Sequence, residues 1–375
     1  MLFPVVLAAA LMNAAMVAAS AVSAILIADD LGPALAGLPN TAGVLGTAAG
    51  AMLVGRWTAR LSRAQALRTG YGVGVAGGAF TVLAAVGAPV ALLFVGMFLL
   101  GVGNAASLLS RYAAADAVPL AKRARAMSTV VWASTLGAAG GPFFMAPSQS
   151  FASGFGLPAI AGPFLLALGA VFAALVASTY IRRTSSPDAP QVRQASSGRP
   201  VLLAAGVMIV GHLVMVSVMT AVPVHTHQHH DGLGLLGVML SVHTLGMFAL
   251  SPLTGWSIDR FGPRAVMLAG LVGLLVSAVL VTRSGLVFTP ALFLLGYAWN
   301  LCYLGGSAQL GSAELESRVE SSIWSVAALA TASSPWLFTL GGFPVLAVVS
   351  VVLVVPLLVL VTRSSRNRPV DMVSR

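Results

Sequence analysis

Apolar residues run along this chain in twelve long stretches, near 3–27, 36–56, 69–88, 90–114, 126–146, 158–181, 201–223, 235–257, 265–283, 288–309, 321–341 and 343–362, with short polar clusters between them. Each can cross a bilayer as a helix, because a helix rises ~1.5 Å per residue and the hydrocarbon core is ~30 Å thick. Backbone N–H and C=O groups find no water in lipid, so a crossing segment must bond within itself or close into a barrel. The alternation of apolar and polar positions that marks barrel strands is missing. The pattern therefore predicts an all-α membrane protein with 12 transmembrane helices. The first run begins almost at Met1, with no basic leader before it and no small-residue cleavage site behind it, and is expected to be a retained span.

Composition agrees with the pattern. Of 375 residues, 58% are hydrophobic and 8% charged, and 40 are Gly, a mixture that a soluble chain could not cover with polar surface. The net charge of +10 is not gathered with aromatics on a polar stretch that would follow a phosphate backbone, so nucleic acid is excluded as a partner. One cysteine, Cys302, allows neither an intramolecular disulfide nor a thiolate cluster.

Charge also orients the chain. With the N-terminus in the cytoplasm, 18 of the 20 Lys and Arg residues fall on that side, leaving Arg283 outside and Arg111 within a span. Short cytoplasmic loops carry the basic excess, so both termini are expected inside.

The one long polar stretch divides the spans six and six. The expected organisation is a six-helix bundle at 1–181, a cytoplasmic linker at 182–200, a second bundle at 201–362 and a cytoplasmic tail at 363–375. The bundles echo each other. Gly55-Arg56-Trp57-Thr58-Ala59-Arg60 closes the second span and Gly255-Trp256-Ser257-Ile258-Asp259-Arg260 the eighth, 200 residues on. A second echo sets Leu99-Leu100-Gly101 with Arg123 against Leu294-Leu295-Gly296 with Arg318. Parallel repeats of this kind suit two rocking halves that expose a central site alternately.

Gly255-x-x-x-Asp259-Arg260-Phe261-Gly262-Pro263-Arg264, between spans eight and nine, resembles the signature cytoplasmic loop of the major facilitator superfamily. With the 12 spans and the repeat, the resemblance covers essentially the whole chain and implies the major facilitator fold, two pseudo-symmetric six-helix bundles. It implies a conformational gate at Gly255, Asp259, Arg260, Gly262 and Arg264, with Asp259 near the start of span five, around Ala126 to Thr129, where free N–H groups favour an anion. The matching loop of the first half has Ala59 where the family has its acid and Ser62 where it has Gly. Glu316 and Glu320, before span eleven, are the acids available to face Arg60 and Arg63, and the pair expected to gate that side is Arg60 with Glu320. Gly137-x-x-x-Gly141-Pro142 resembles the core of a motif of drug/proton antiporters in the family; close helix packing is the alternative.

Ionisable groups inside spans are costly, so each is a candidate for function. Arg111 and Asp116, at the inner part of span four, are read as a proton-gated latch, or Arg111 as a group that attracts an anionic part of a substrate; a snorkelling Arg beside a helix-end acid is the alternative. Asp30 ends the first span at its outer mouth. All six histidines fall between 212 and 243. His212, central in span seven, and His243, in span eight, are candidates for proton coupling, since imidazole titrates near neutrality; neutral rings bonded between helices are the alternative. His225, His227 and His229 fall in the expected outer loop, where an extended backbone would turn them to one side as metal ligands; a solvated loop is the simpler account. Asn13, Met215, Met219, Trp299, Asn300 and Tyr303 are candidate substrate contacts.

The resulting expectation is a secondary transporter without cofactors, not an enzyme, moving a small hydrophobic organic compound outward against protons across a bacterial plasma membrane. It is expected to act as a monomer with lipid, substrate and protons as partners. The alternative is proton-coupled transport of a specific solute or metal ion.

Overall fold

The computed structural model describes residues 2–31, 37–140, 144–181, 198–228, 233–283 and 285–363, and among these it contains helices and no strands. In the first half α1 (Phe3–Leu31), α2 (Leu38–Arg60), α3 (Arg63–Ala85), α4 (Ala91–Asp116), α5 (Arg123–Gly140), α6 (Met145–Gly154) and α7 (Ala161–Thr179) follow in order. The second half holds α8 (Arg199–Gln228), α9 (Leu233–Phe248), α10 (Ser251–Phe261), α11 (Pro263–Leu280), α12 (Phe288–Ser307), α13 (Ala313–Thr339) and α14 (Gly342–Arg363). The expected linker lies outside the described residues up to 197; α8 begins two residues before the expected boundary.

Eight stretches among the described residues are long and apolar enough to cross a membrane: α1, α4, α7, α8, α9 with α10, α11, α12 and α14. The helices α2, α3, α5 and α13, within four of the expected spans, are rich in Gly, Ala, Ser and Thr, a composition that serves packing. Small residues let helix backbones approach closely where lipid offers no hydrophobic drive between helices. Thus a Cβ on Gly46 of α2 would lie 2.0 Å from the Phe98 carbonyl oxygen of α4, and a Cβ on Gly246 of α9 would lie 2.2 Å from that of Phe293 of α12. The same pairs of helices meet again at Gly101 against Gly43 and Gly296 against His243. These matched contacts, at offsets of 200 and 195, show the repeat in three dimensions.

One repeat unit is broken. α2 is continuous, whereas its counterpart divides into α9 and α10, with Pro252 at the start of α10. Proline lacks the N–H that would continue the ladder. Asn300 of α12 fills the gap: its Nδ2 donates to the Met247 carbonyl at 2.7 Å and to Ser251 Oγ at 2.8 Å, and its Oδ1 accepts from Thr254 Oγ1 at 2.7 Å. Asn300, a candidate substrate contact, is fully buried here with both its amide groups engaged in this clamp.

The halves meet mainly through α2 against α13 and α5 against α10. Both contacts lie at the end of the bundle where α2 and α10 finish and α5 and α13 begin, the end that carries most of the basic residues and is called the basic end below.

Candidate functional site

A buried chain of polar and aromatic groups climbs from the basic end toward the middle of the bundle and joins the halves. At its base Arg63, the first residue of α3, reaches Asp116 at the end of α4 (3.0 Å) and Glu316 in the first turn of α13 (2.8 Å). One turn deeper, Arg111 of α4 pairs with Glu320 of α13 at 2.7 Å, each side chain 1% exposed.

The guanidinium and carboxylate are both well held. Arg111 Nε donates to Ser307 Oγ (3.3 Å) and Nη2 to Tyr112 Oη (2.9 Å), while the rings of Tyr112 and Tyr303 each lie 4.4 Å from its central carbon. Glu320 accepts from Tyr303 Oη at 3.0 Å and from Trp324 Nε1 at 3.2 Å, besides Arg111. Above them the His212 ring lies 5.5 Å from Trp324 and 5.9 Å from Trp299, whose Nε1 donates to His212 Nδ1 at 3.0 Å. Trp299 stacks on Tyr303 at 4.8 Å and meets Phe248 edge-on at 6.1 Å. Such a pair is stable because every buried charge has a partner; removing one member would leave the other uncompensated.

This arrangement corrects two sequence expectations. Arg111 does not pair with Asp116. A five-residue step turns about 140° around a helix, so Arg111 faces the second half while Asp116 turns to Arg63. Nor does Arg60 meet Glu320. Arg60 ends α2 exposed, and Ser62 then caps α3, its Oγ accepting from Gln65 N–H, which sets Arg63 rather than Arg60 toward α13. Arg63 and Glu316 were expected only to lie on facing sides of this contact, and they do pair; Tyr112, Ser307 and Trp324 were absent from the candidate sites. The available signal was that α4 and α13 each carry an opposite charge about two turns from the basic end.

The other contact between halves is built around the loop motif. Asp259 lies 3.1 Å from Arg125 Nε and bonds the backbone N–H groups of Ala124 and Arg125, at the first turn of α5 and just before the expected stretch. Gly255 is required for that approach: a Cβ there would lie 2.3 Å from Ser128 Oγ and 3.0 Å from the Ala124 carbonyl oxygen. Gly262 ends α10 at φ +82°, a conformation that favours glycine. Arg264 bonds the carbonyls of Val361 and Thr362 at the end of α14, and exposed Arg260 lies near the rings of Trp256 and Phe261 within its own half.

The remaining candidates are dispersed. His243 Nδ1 donates to the Leu292 carbonyl at 2.9 Å, clipping α9 to α12. Asn13 Nδ2 donates to the Ser134 carbonyl at 3.0 Å, tying α1 to α5. Gly137 packs on the Ala10 carbonyl of α1, while Gly141 and Pro142 lie outside the described residues. Met215 is buried and Met219 half-buried in α8. The side chains of Asp30, His225, His227 and His229 lie outside the described residues. α8 nevertheless continues to Gln228, so the backbone at 225 and 227 is helical, which corrects the extended backbone expected there. Among the described residues no group of three or more His, Cys, Asp or Glu is placed to hold a metal ion.

Comparison with known proteins bears on this geometry. Residues 5–312 match the family model described as Major Facilitator Superfamily. An uncharacterised MFS-type transporter of Bacillus subtilis, YdeG, is 31% identical over 318 residues, 79% of this chain and 74% of the relative. The riboflavin transporter RfnT of Brucella anthropi is 30% identical over 300 residues, covering 74% and 72%. Among solved structures, the transporter FucP in its outward conformation aligns with a TM-score of 0.75 at 14% identity, covering 96% of this chain and 98% of that one. The human organic anion transporter MFSD10 aligns at 0.73 and 18% identity, with the same coverage.

Proposed function

Since the chain belongs to the Major Facilitator Superfamily and is a secondary transporter by that membership, we propose that it exports small, largely apolar organic compounds from a bacterial cell in exchange for protons. In this reading the basic end faces the cytoplasm, as the distribution of Lys and Arg favours. The cytoplasmic path is then closed by the contacts of α2 with α13 and α5 with α10, and the protein faces outward.

The observation that carries the proposal is the Arg111–Glu320 pair, a buried ion pair joining the two halves that must part. Proton arrival at Glu320 from outside neutralises the carboxylate and leaves Arg111 charged without its counter-ion. A buried unpaired charge is costly, so the state in which the basic end opens and water reaches Arg111 gains in population. Glu320 then releases its proton to the cytoplasm, substrate enters, and the re-formed pair closes the basic end. One proton moves inward as one substrate moves outward. His212, joined through Trp299 and Trp324 to this pair, relays occupancy of the middle of the bundle to the lock.

The flat faces of Trp299, Trp324, Tyr303 and Phe248 suit planar aromatic compounds, and similarity to a riboflavin transporter supports that class. The Gly137-x-x-x-Gly141-Pro142 pattern, shared in outline with antiporters, favours export. A planar-dye and riboflavin screen in proteoliposomes with an imposed pH gradient tests the reading. Wild type is expected to drive substrate against its gradient and to move protons when substrate is added; Glu320→Gln, which keeps hydrogen-bonding capacity, is expected to retain downhill exchange and lose the pH-driven component. Unchanged pH-driven transport in Glu320→Gln would remove Glu320 from the coupling step.

A further inference from the structure

The outer flank of the first half carries a groove between α1 and α7, away from the contacts between halves. Phe3, Pro4, Leu7 and Leu11 form one wall and Phe172, Val176 and Tyr180 the other, around a volume of about 620 Å³. Ala173 and Ala177 make a low floor, so the depth of the groove comes from small residues between large ones. Phe3 opens α1 and Tyr180 follows α7, which puts the mouth at the basic end, with both rings projecting at 72% and 70% exposure. Aromatic rings at this level belong at the boundary between hydrocarbon and headgroups.

A cation stands beside that mouth. Arg68 of α3 is half-buried, and its Nη2 donates to the carbonyl of Thr179 at 3.1 Å, one residue before Tyr180. Its Nε has no hydrogen-bond partner among the described residues. The guanidinium is held by that one bond and, since Nε is buried, it is the terminal Nη groups that remain for a ligand.

The geometry points to a bound phospholipid of the leaflet at the basic end, one acyl chain lying in the α1–α7 groove and an anionic headgroup phosphate against Arg68. The walls offer shape and no polar side chain except the Tyr180 hydroxyl, which suits a hydrocarbon chain and excludes a polar solute. The planar fork of a guanidinium matches phosphate oxygens. The excess of basic residues at this end raises the local concentration of anionic lipid.

Native mass spectrometry of the full chain, released from membranes holding equal phosphatidylglycerol and phosphatidylcholine, tests this. Wild type is expected to retain phosphatidylglycerol in preference. Arg68→Gln should lower that preference about fivefold without changing phosphatidylcholine retention. Ala173→Phe, which fills the groove at a half-exposed position, should remove the retained lipid while leaving thermal stability intact. Phosphatidylglycerol bearing a photoreactive acyl chain should label peptides spanning 3–11 and 172–180. Equal retention of the two lipids by wild type, labelling spread evenly around the bundle, or a preference unaffected by Arg68→Gln would overturn the assignment.

Discussion

The two contacts that close the basic end share a scaffold and differ in charge. In both, a glycine near the end of a helix takes a serine side chain from the opposite half: a Cβ on Gly55 would lie 2.1 Å from Ser317 Oγ, and one on Gly255 would lie 2.3 Å from Ser128 Oγ. In the second-half loop the acid Asp259 is supplied across the interface to α5, whose first turn holds no acid of its own and begins with Arg123 and Arg125. In the first-half loop Ala59 supplies nothing. There α13 carries Glu314 and Glu316 in its own first turn, with Ser312 as its cap, so its N-terminal dipole is already met. What crosses the interface is the cation, Arg63 to Glu316. Loss of the first loop acid therefore goes with a change in which element carries the acid, the end of α10 in one contact and the start of α13 in the other, so that the second half gives the acid in both. It also goes with a second, deeper pair, Arg111 with Glu320, for which the α5–α10 side has no counterpart among the described ion pairs.

The comparison can be broken most forcefully at the deep pair. Glu320→Ala leaves Arg111 buried and unpaired, and a loss of about 3–5 kcal/mol is expected, read as a large fall in thermal stability of the purified chain. Arg111→Met with Glu320→Leu should recover most of it, and failure of that double change to do better than Glu320→Ala would show that the charges are not a pair.

The glycine contacts come next. Gly255→Ala should destabilise the closed basic end by about 1–3 kcal/mol, and more than Gly55→Ala. At Gly255 the intruding Cβ meets backbone as well as Ser128; at Gly55 only the Ser317 side chain stands close, with the nearest backbone oxygen at 3.8 Å. Ser317→Gly should rescue Gly55→Ala almost fully, and Ser128→Gly should rescue Gly255→Ala only in part, as scored by accessibility of cysteines placed at the basic end. Equal rescue at both sites would erase this asymmetry.

Smaller effects separate the charges. Asp259→Asn removes the anion from the start of α5 and is expected to weaken closure by about 0.3–1 kcal/mol, rising toward ~2 kcal/mol if the site is dry. Restoring the family acid by Ala59→Asp should change closure by no more than ~0.5 kcal/mol, because α13 already carries its acids. A strong gain in closure from Ala59→Asp would mean that the first contact lacks an acid after all.

Much of the fold was legible because lipid leaves few choices: run lengths gave the long helices, with eight stretches among the described residues apolar enough to cross a membrane, and the echo at an offset of 200 gave the two bundles. The splitting of span eight was marked only by Pro252, and nothing near it in sequence announced that Asn300, about fifty residues on, would fill the gap. The site was half legible. Arg111 stood out as a charge inside an apolar helix and Glu320 as an acid just before span eleven, but both were assigned to partners near in sequence or in motif, since spacing reports the faces of one helix and not which helices meet. Arg63 was obscured by Arg60, three residues away, because the turn at Leu61 and Ser62 decides which of them faces α13. Trp324 and Tyr303 carry no charge, and their part in holding Glu320 follows only from the packing of α12 and α13.

Spin labels on α2 and α13 at the basic end, with their distance followed by pulsed spectroscopy in lipid as pH is lowered, test the central claim most directly. Wild type is expected to populate a longer distance increasingly as pH falls, and Glu320→Gln to populate it to the same raised extent at every pH. A distance that ignores pH in wild type, or a Glu320→Gln protein that stays as closed as wild type at high pH, would contradict the account.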